Sequence, residues 1–68
     1  MRTNLKLFRV RLKLTQAQIA EKIGVRRSTY AAIENGDRDG SMRFWNGLKT
    51  AFELSDSEYV ELMKRDEE

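Results

Sequence analysis

The sequence predicts an all-α domain: five short helices around a single core. Three observations carry this. Apolar residues recur three and four positions apart, the period of one helix face, along nearly the whole chain. No window alternates apolar and polar residues as a half-buried strand does. Helix start and stop signals punctuate the chain at short intervals: Thr15 before Gln18, Gly24, Asn35-Gly36, and Ser55 before Glu58. At 68 residues the chain makes one domain, 1–68, and a domain of that size buries only about 60% of the surface its unfolded form exposes. With no cysteine, neither a disulfide nor a cysteine-bound zinc supports it.

The first helix is expected over about residues 3–13, where Leu5, Phe8 and Leu12 share a face. Thr15-x-x-Gln18 is a capping box, in which hydroxyl and amide satisfy free N–H groups, so a second helix runs over about 16–23 with Ile19, Ala20 and Ile23 inward. Gly24 tolerates the left-handed conformation that ends a helix, and Val25 is the apolar plug of the turn that follows. The third helix covers about 27–35, burying Tyr30 and Ile33, and Asn35-Gly36 stops it. After the loop "GDRDGS", Ser41 caps a fourth helix over about 42–52, with Met42, Trp45, Leu48 and Phe52 assigned to the core. Gly47 inside it either permits close helix contact or weakens the helix by roughly 1 kcal/mol. Ser55-x-x-Glu58 opens a fifth helix over about 56–64, whose inner face takes Tyr59 and one of Leu62 and Met63. Acidic residues at a negative helix end predict a frayed tail over about 65–68.

Charge narrows the function. Residues 1–14 carry +5, residues 15–52 carry +2, and residues 53–68 carry −5. The front of the molecule attracts polyanions and the tail repels them, although both could equally be solvated helix faces. There is no histidine, the commonest general base and metal ligand. The carboxylates are scattered and no nucleophile has a visible partner base, so no enzyme, metal, cofactor or small-molecule ligand is expected. No apolar run approaches the roughly 18 residues of a membrane span. The basic N-terminus leads into no long hydrophobic region, so a signal peptide is not expected, and the absence of cysteine fits a reducing cytoplasm, the expected compartment.

Two short helices joined by a glycine turn form a helix-turn-helix arrangement. Spacing alone is a weak signal, but the residues are sharper. "LTQAQIAEKIGV", "RRSTYAAIENGDR" and "GSMRFWNGLKTAFELS" resemble the lambda-repressor/Cro-like family, which includes xenobiotic-response-type regulators of bacteria and phages. The resemblance runs from about Leu5 to Met63. It implies a sequence-specific DNA-binding regulator, a small Cro-like repressor, with the third helix in the major groove.

The residues support that reading independently. With Tyr30 and Ile33 buried, the opposite face shows Arg27, Ser28, Ala31 and Ala32. Arginine can donate two hydrogen bonds to guanine, and alanine allows close approach and contact with a thymine methyl. The alternative is a solvated face of good helix formers. By resemblance, Gln16 binds backbone phosphate beside Thr15, where free N–H groups also favour an anion; plain capping is compatible with this. Asn35 matches a phosphate-contacting position, with a helix C-cap as the competing role. Arg26, Arg38 and Arg43 are candidates for phosphate or minor-groove contact, or for solubility alone. In the family an arginine of the first helix pairs with the glutamate of "ENG", which makes Arg9 and Glu34 a structural ion pair.

Three positions depart from the family pattern. Arg26 stands where Ser or Thr usually caps the recognition helix, and arginine cannot accept a hydrogen bond. Gly40 stands where a proline usually precedes the serine. Gly47 replaces a stronger helix former. A weak homodimer on a pseudo-palindrome is expected, through Phe44, Val60 and the outward one of Leu62 and Met63. The rival class is a protein-interaction module, or an antitoxin component, that uses the same fold to bind a protein.

Overall fold

The computed structural model describes residues 1–66. It contains α1 (Thr3–Arg11), α2 (Gln16–Ile23), α3 (Arg27–Asn35), α4 (Met42–Ala51) and α5 (Asp56–Met63), with no strand among the described residues. None of these helices is long and apolar enough to cross a membrane. Helix α2 packs on α3 and α4, while α1 lies against α5 and α3. The core between them holds Leu5, Ile19, Ala20, Tyr30, Ile33, Phe44, Trp45, Leu48 and Leu62.

Most helix ends follow the sequence signals. Thr15 accepts from the Gln18 N–H at 3.1 Å while the Gln18 side chain accepts from the Thr15 N–H at 2.8 Å. Ser55 and Glu58 form the same reciprocal box, and Ser41 caps α4 through the Phe44 N–H. Helix α1 is different. It ends at Arg11 rather than Lys13, because Lys13 takes a left-handed conformation (φ 58°) and the Leu14 N–H folds back onto the Arg9 carbonyl at 3.2 Å. Glu53 closes α4 the same way, at φ 51°, with the Leu54 N–H on the Lys49 carbonyl. Neither residue is the glycine that usually marks such an end.

Three burial assignments change. Met42 is 80% exposed, and Phe44, expected outside as a subunit contact, is 1% exposed. On α4, Phe44, Trp45 and Leu48 share the face that meets the other helices, and Met42, two residues before Phe44, points about 200° away from Phe44. Leu12 is exposed because α1 has already ended. On α5 Leu62 enters the core, Met63 is half-buried against it, and Val60 faces solvent.

Gly47 makes a close helix contact: a Cβ there would lie 3.1 Å from the Ile23 carbonyl oxygen, where α4 crosses the end of α2. Of the tail expected to fray, residues 67 and 68 lie outside the described residues. Asp66 caps α1 from the far end of the chain, accepting from the Thr3 N–H at 3.0 Å and the Thr3 hydroxyl at 2.6 Å. Arg65 is paired with Asp39.

Candidate nucleic-acid interface

The turn between α2 and α3 is three residues long. Gly24 adopts φ +87° and its N–H bonds back to the Ala20 and Glu21 carbonyls. Val25 follows with its N–H on Ala20 at 3.0 Å and its side chain packed against the core. Arg26, in extended conformation, precedes α3 and supplies no side-chain cap, unlike Thr15, Ser41 and Ser55 at their helices. The first N–H groups of α3 therefore open between the exposed residues Arg26, Arg27 and Ser28. Uncapped N–H groups at the positive end of a helix favour an anion.

Around this helix start the structure brings together most of the side chains singled out above. The Arg27 guanidinium donates to the Gln16 amide oxygen at 3.2 Å, which joins the beginnings of α2 and α3. Arg26, Arg38 and Arg43 come from three separate segments and line one concavity of about 510 Å³ with Thr29, Ser41 and Gly40. Ser28 and Ala32 face a neighbouring hollow shared with Arg26, Thr29 and Arg38. Ala31 and Ala32 are half-buried rather than open, so α3 presents a shallow alanine floor behind exposed Arg27 and Ser28. Thr15 is exposed with its hydroxyl oxygen engaged in the capping box. Asn35 is exposed as the last helical residue, and Gly36, at φ +86°, takes the C-cap role considered for it. Thr29, which no sequence motif marks, lines both hollows. Its signal is positional: it lies on α3 between the exposed face and the loop.

Arg9 and Glu34 lie behind this surface. Arg9 Nε and its terminal nitrogen reach the two carboxylate oxygens of Glu34 at 3.0 and 3.1 Å, a bidentate pair, and a second terminal nitrogen donates to the Leu14 carbonyl at 2.9 Å. Glu34 is 1% exposed. Burial pushes its pKa up, but the Arg9 guanidinium, the Tyr30 hydroxyl and the Gln16 amide outweigh burial and hold the carboxyl below its ordinary value. Burial, and then the neighbouring Glu34 carboxylate, raise the Tyr30 hydroxyl and keep it protonated. Gln16 thus joins α2 to α3 through Arg27, and its amide helps to hold the Glu34 carboxyl ionised.

The charge picture from composition needs one correction. Two of the five basic residues in the first fourteen do not act at the surface. Arg2 is 4% exposed and Arg9 is consumed by Glu34, which leaves Lys6, Arg11 and Lys13 exposed on that side. The arginines that converge on one concavity, Arg26, Arg38 and Arg43, come from the middle of the chain.

Comparison with known proteins agrees with this geometry. A family model described as helix-turn-helix matches residues 5–42, from α1 to the first residue of α4. Two uncharacterized HTH-type transcriptional regulators of Archaeoglobus fulgidus are 42% and 40% identical over 43 residues, covering 63% of this chain and 61% of each relative. One of Methanocaldococcus jannaschii is 42% identical over 55 residues, covering 81% of this chain and 74% of the relative. The chain thus spans about three-fifths of the length of the two Archaeoglobus proteins. No solved structure matches it.

Proposed function

Because the chain belongs to the lambda-repressor/Cro-like helix-turn-helix family, we propose that it is a sequence-specific DNA-binding repressor that acts in the cytoplasm as a dimer. In this reading α3 enters the major groove of a pseudo-palindromic operator. Arg27 and Ser28 read base edges at the helix start, and Ala31 and Ala32 allow the close approach. Thr15, Gln16, Arg26, Asn35, Arg38 and Arg43 take backbone phosphate. The observation that carries the reading is the convergence of Arg26, Arg38 and Arg43 on one concavity beside the uncapped start of α3. Three guanidinium groups within one hollow suit a line of phosphates, and phosphate contacts fix the register in which base contacts specify.

Selection of bound duplexes from a random pool tests this directly. Arg27→Ala is expected to cost about 1–3 kcal/mol and to relax the preference at one guanine position, as for a lost bidentate contact. An unchanged consensus would remove Arg27 from the base-reading set. Binding of the selected duplex should weaken steeply with salt, since each phosphate contact releases counterions. Salt-independent capture of a protein in place of duplex would instead favour the interaction-module reading.

One recognition helix reads too few base pairs to single out a site among roughly a million competitors, which two half-sites about 34 Å apart overcome. With Phe44 and Leu62 in the core, Met42 at the start of α4 and Val60 on α5 are the exposed large apolar residues of the two surfaces expected to meet, while Leu7, Val10 and Leu12 are exposed at α1. So small a patch dimerises weakly in solution and strongly on DNA, where the first subunit raises the local concentration of the second. Sedimentation should show monomer at low micromolar concentration, and duplex titration should be cooperative with two subunits per site. Saturation by one subunit would rule the dimer out.

A further inference from the structure

Arg2 was read from sequence only as one more N-terminal positive charge. In the folded chain it is buried where the ends of α3 and α5 meet the loop between α3 and α4. Its Nε donates to the Met63 carbonyl at 2.8 Å, one terminal nitrogen donates to Ile33 at 2.6 Å and to Arg38 at 2.8 Å, and the other reaches Asp39 at 3.3 Å. The guanidinium also lies 5.5 Å over the Trp45 ring, whose indole N–H donates to the same Asp39 carbonyl at 3.1 Å. Carbonyls at helix C-termini lack intrahelical donors and carry partial negative charge, so a fork of five donors meets their need in chemistry and in number.

The grip is one-sided. Arg2 holds the backbone of Arg38 from the buried side, while the Arg38 side chain is exposed and shares the concavity with Arg26 and Arg43. The Arg38 N–H adds only a long bond, 3.3 Å, to the Ala32 carbonyl. We infer that Arg2 is a positioning residue for duplex binding: its guanidinium fixes the loop backbone so that the Arg38 side chain meets a phosphate. The inference rests on the DNA-binding reading and adds to it a residue that never touches the nucleic acid.

The test is a double-mutant cycle on duplex affinity across a salt series, each variant held below its own melting temperature. Arg38→Ala should weaken binding on the order of tenfold, as for one charged hydrogen bond, and reduce the salt slope by about 1. Arg2→Met should do much the same although its charge is buried, and the double variant should bind no worse than Arg38→Ala alone. In an Arg43→Ala background the Arg2→Met loss should appear in full. A merely structural role predicts otherwise, because general loosening weakens every background by the same factor and leaves the slope unchanged. If Arg2→Met does not fold, Arg2→Lys keeps one donor group and the same cycle is read with it. Equal losses in the Arg38→Ala and wild-type backgrounds, or an unchanged slope, would overturn the inference alone. Wild-type protein without salt-dependent duplex binding would overturn the DNA-binding reading and this inference with it, so the two failures are distinct.

Discussion

Arg9→Met is expected to lower the unfolding free energy by about 3 kcal/mol, the low end for breaking a buried ion pair, because Arg9 itself sits at the protein's edge. For a domain of this size that corresponds to a fall in melting temperature of roughly 12–24 °C. The loss comes less from the vanished attraction than from what remains: a Glu34 carboxylate that is 1% exposed and has lost both donors of its bidentate partner. Glu34→Gln should cost less, and the double variant less than the sum, since it strands no buried charge. Thermal melts of the three variants give the coupling directly, and additive losses would show that the pair does not act as a unit. The pH dependence follows from the lowered carboxyl. A group held below its unfolded value of 4.5 stabilises the fold above that pH, and the contribution is lost as pH falls through the folded value. Wild type should therefore lose stability relative to Glu34→Gln on acidification from about pH 5. In Arg9→Met the sign reverses, because burial without the arginine favours the protonated acid.

Gly40→Ala is expected to cost about 2–3 kcal/mol, from a left-handed backbone that a Cβ disfavours by about 1–2 kcal/mol and from a lost, partly buried hydrogen bond. Gly40 adopts φ +83°, and a Cβ there would lie 2.7 Å from the indole nitrogen of Trp45. The ring must move, and with it the bond to the Asp39 carbonyl that Arg2 shares. Gly40→Pro should cost more, because a proline ring locks φ near −65°. This explains why the proline usual at this family position is absent: the loop here turns left-handed over the tryptophan. The chain has a single tryptophan, so its fluorescence reports on this contact. An alanine variant with wild-type melting temperature and an unshifted emission spectrum would show that the loop accommodates the methyl group freely.

The sequence by itself determined the parts that depend on local chemistry. The helix-turn-helix was legible because Thr15, Gln18, Gly24 and Gly36 act on their own neighbours within a few residues, through capping bonds and left-handed φ that need no tertiary partner. The same holds for Ser41 and for Ser55 with Glu58. The exposed start of α3 followed from period alone once Tyr30 and Ile33 were placed inside. What only the tertiary structure decided concerns contacts between residues far apart in the chain. Phe44 and Met42 exchanged places because the face of α4 that turns inward is set by the helices it meets, and an apolar side chain does not announce which way it points. Lys13 and Glu53 end their helices in a conformation their side chains do not favour, because the next segment must turn back onto the core. Arg2 is the clearest case. It stands sixty-one positions from Met63 and thirty-one from Ile33, and its burial depends on two helix ends and a loop being brought to one point. No window of sequence contains those carbonyls, so a charge that composition assigns to the surface becomes the residue that holds the loop behind Arg38.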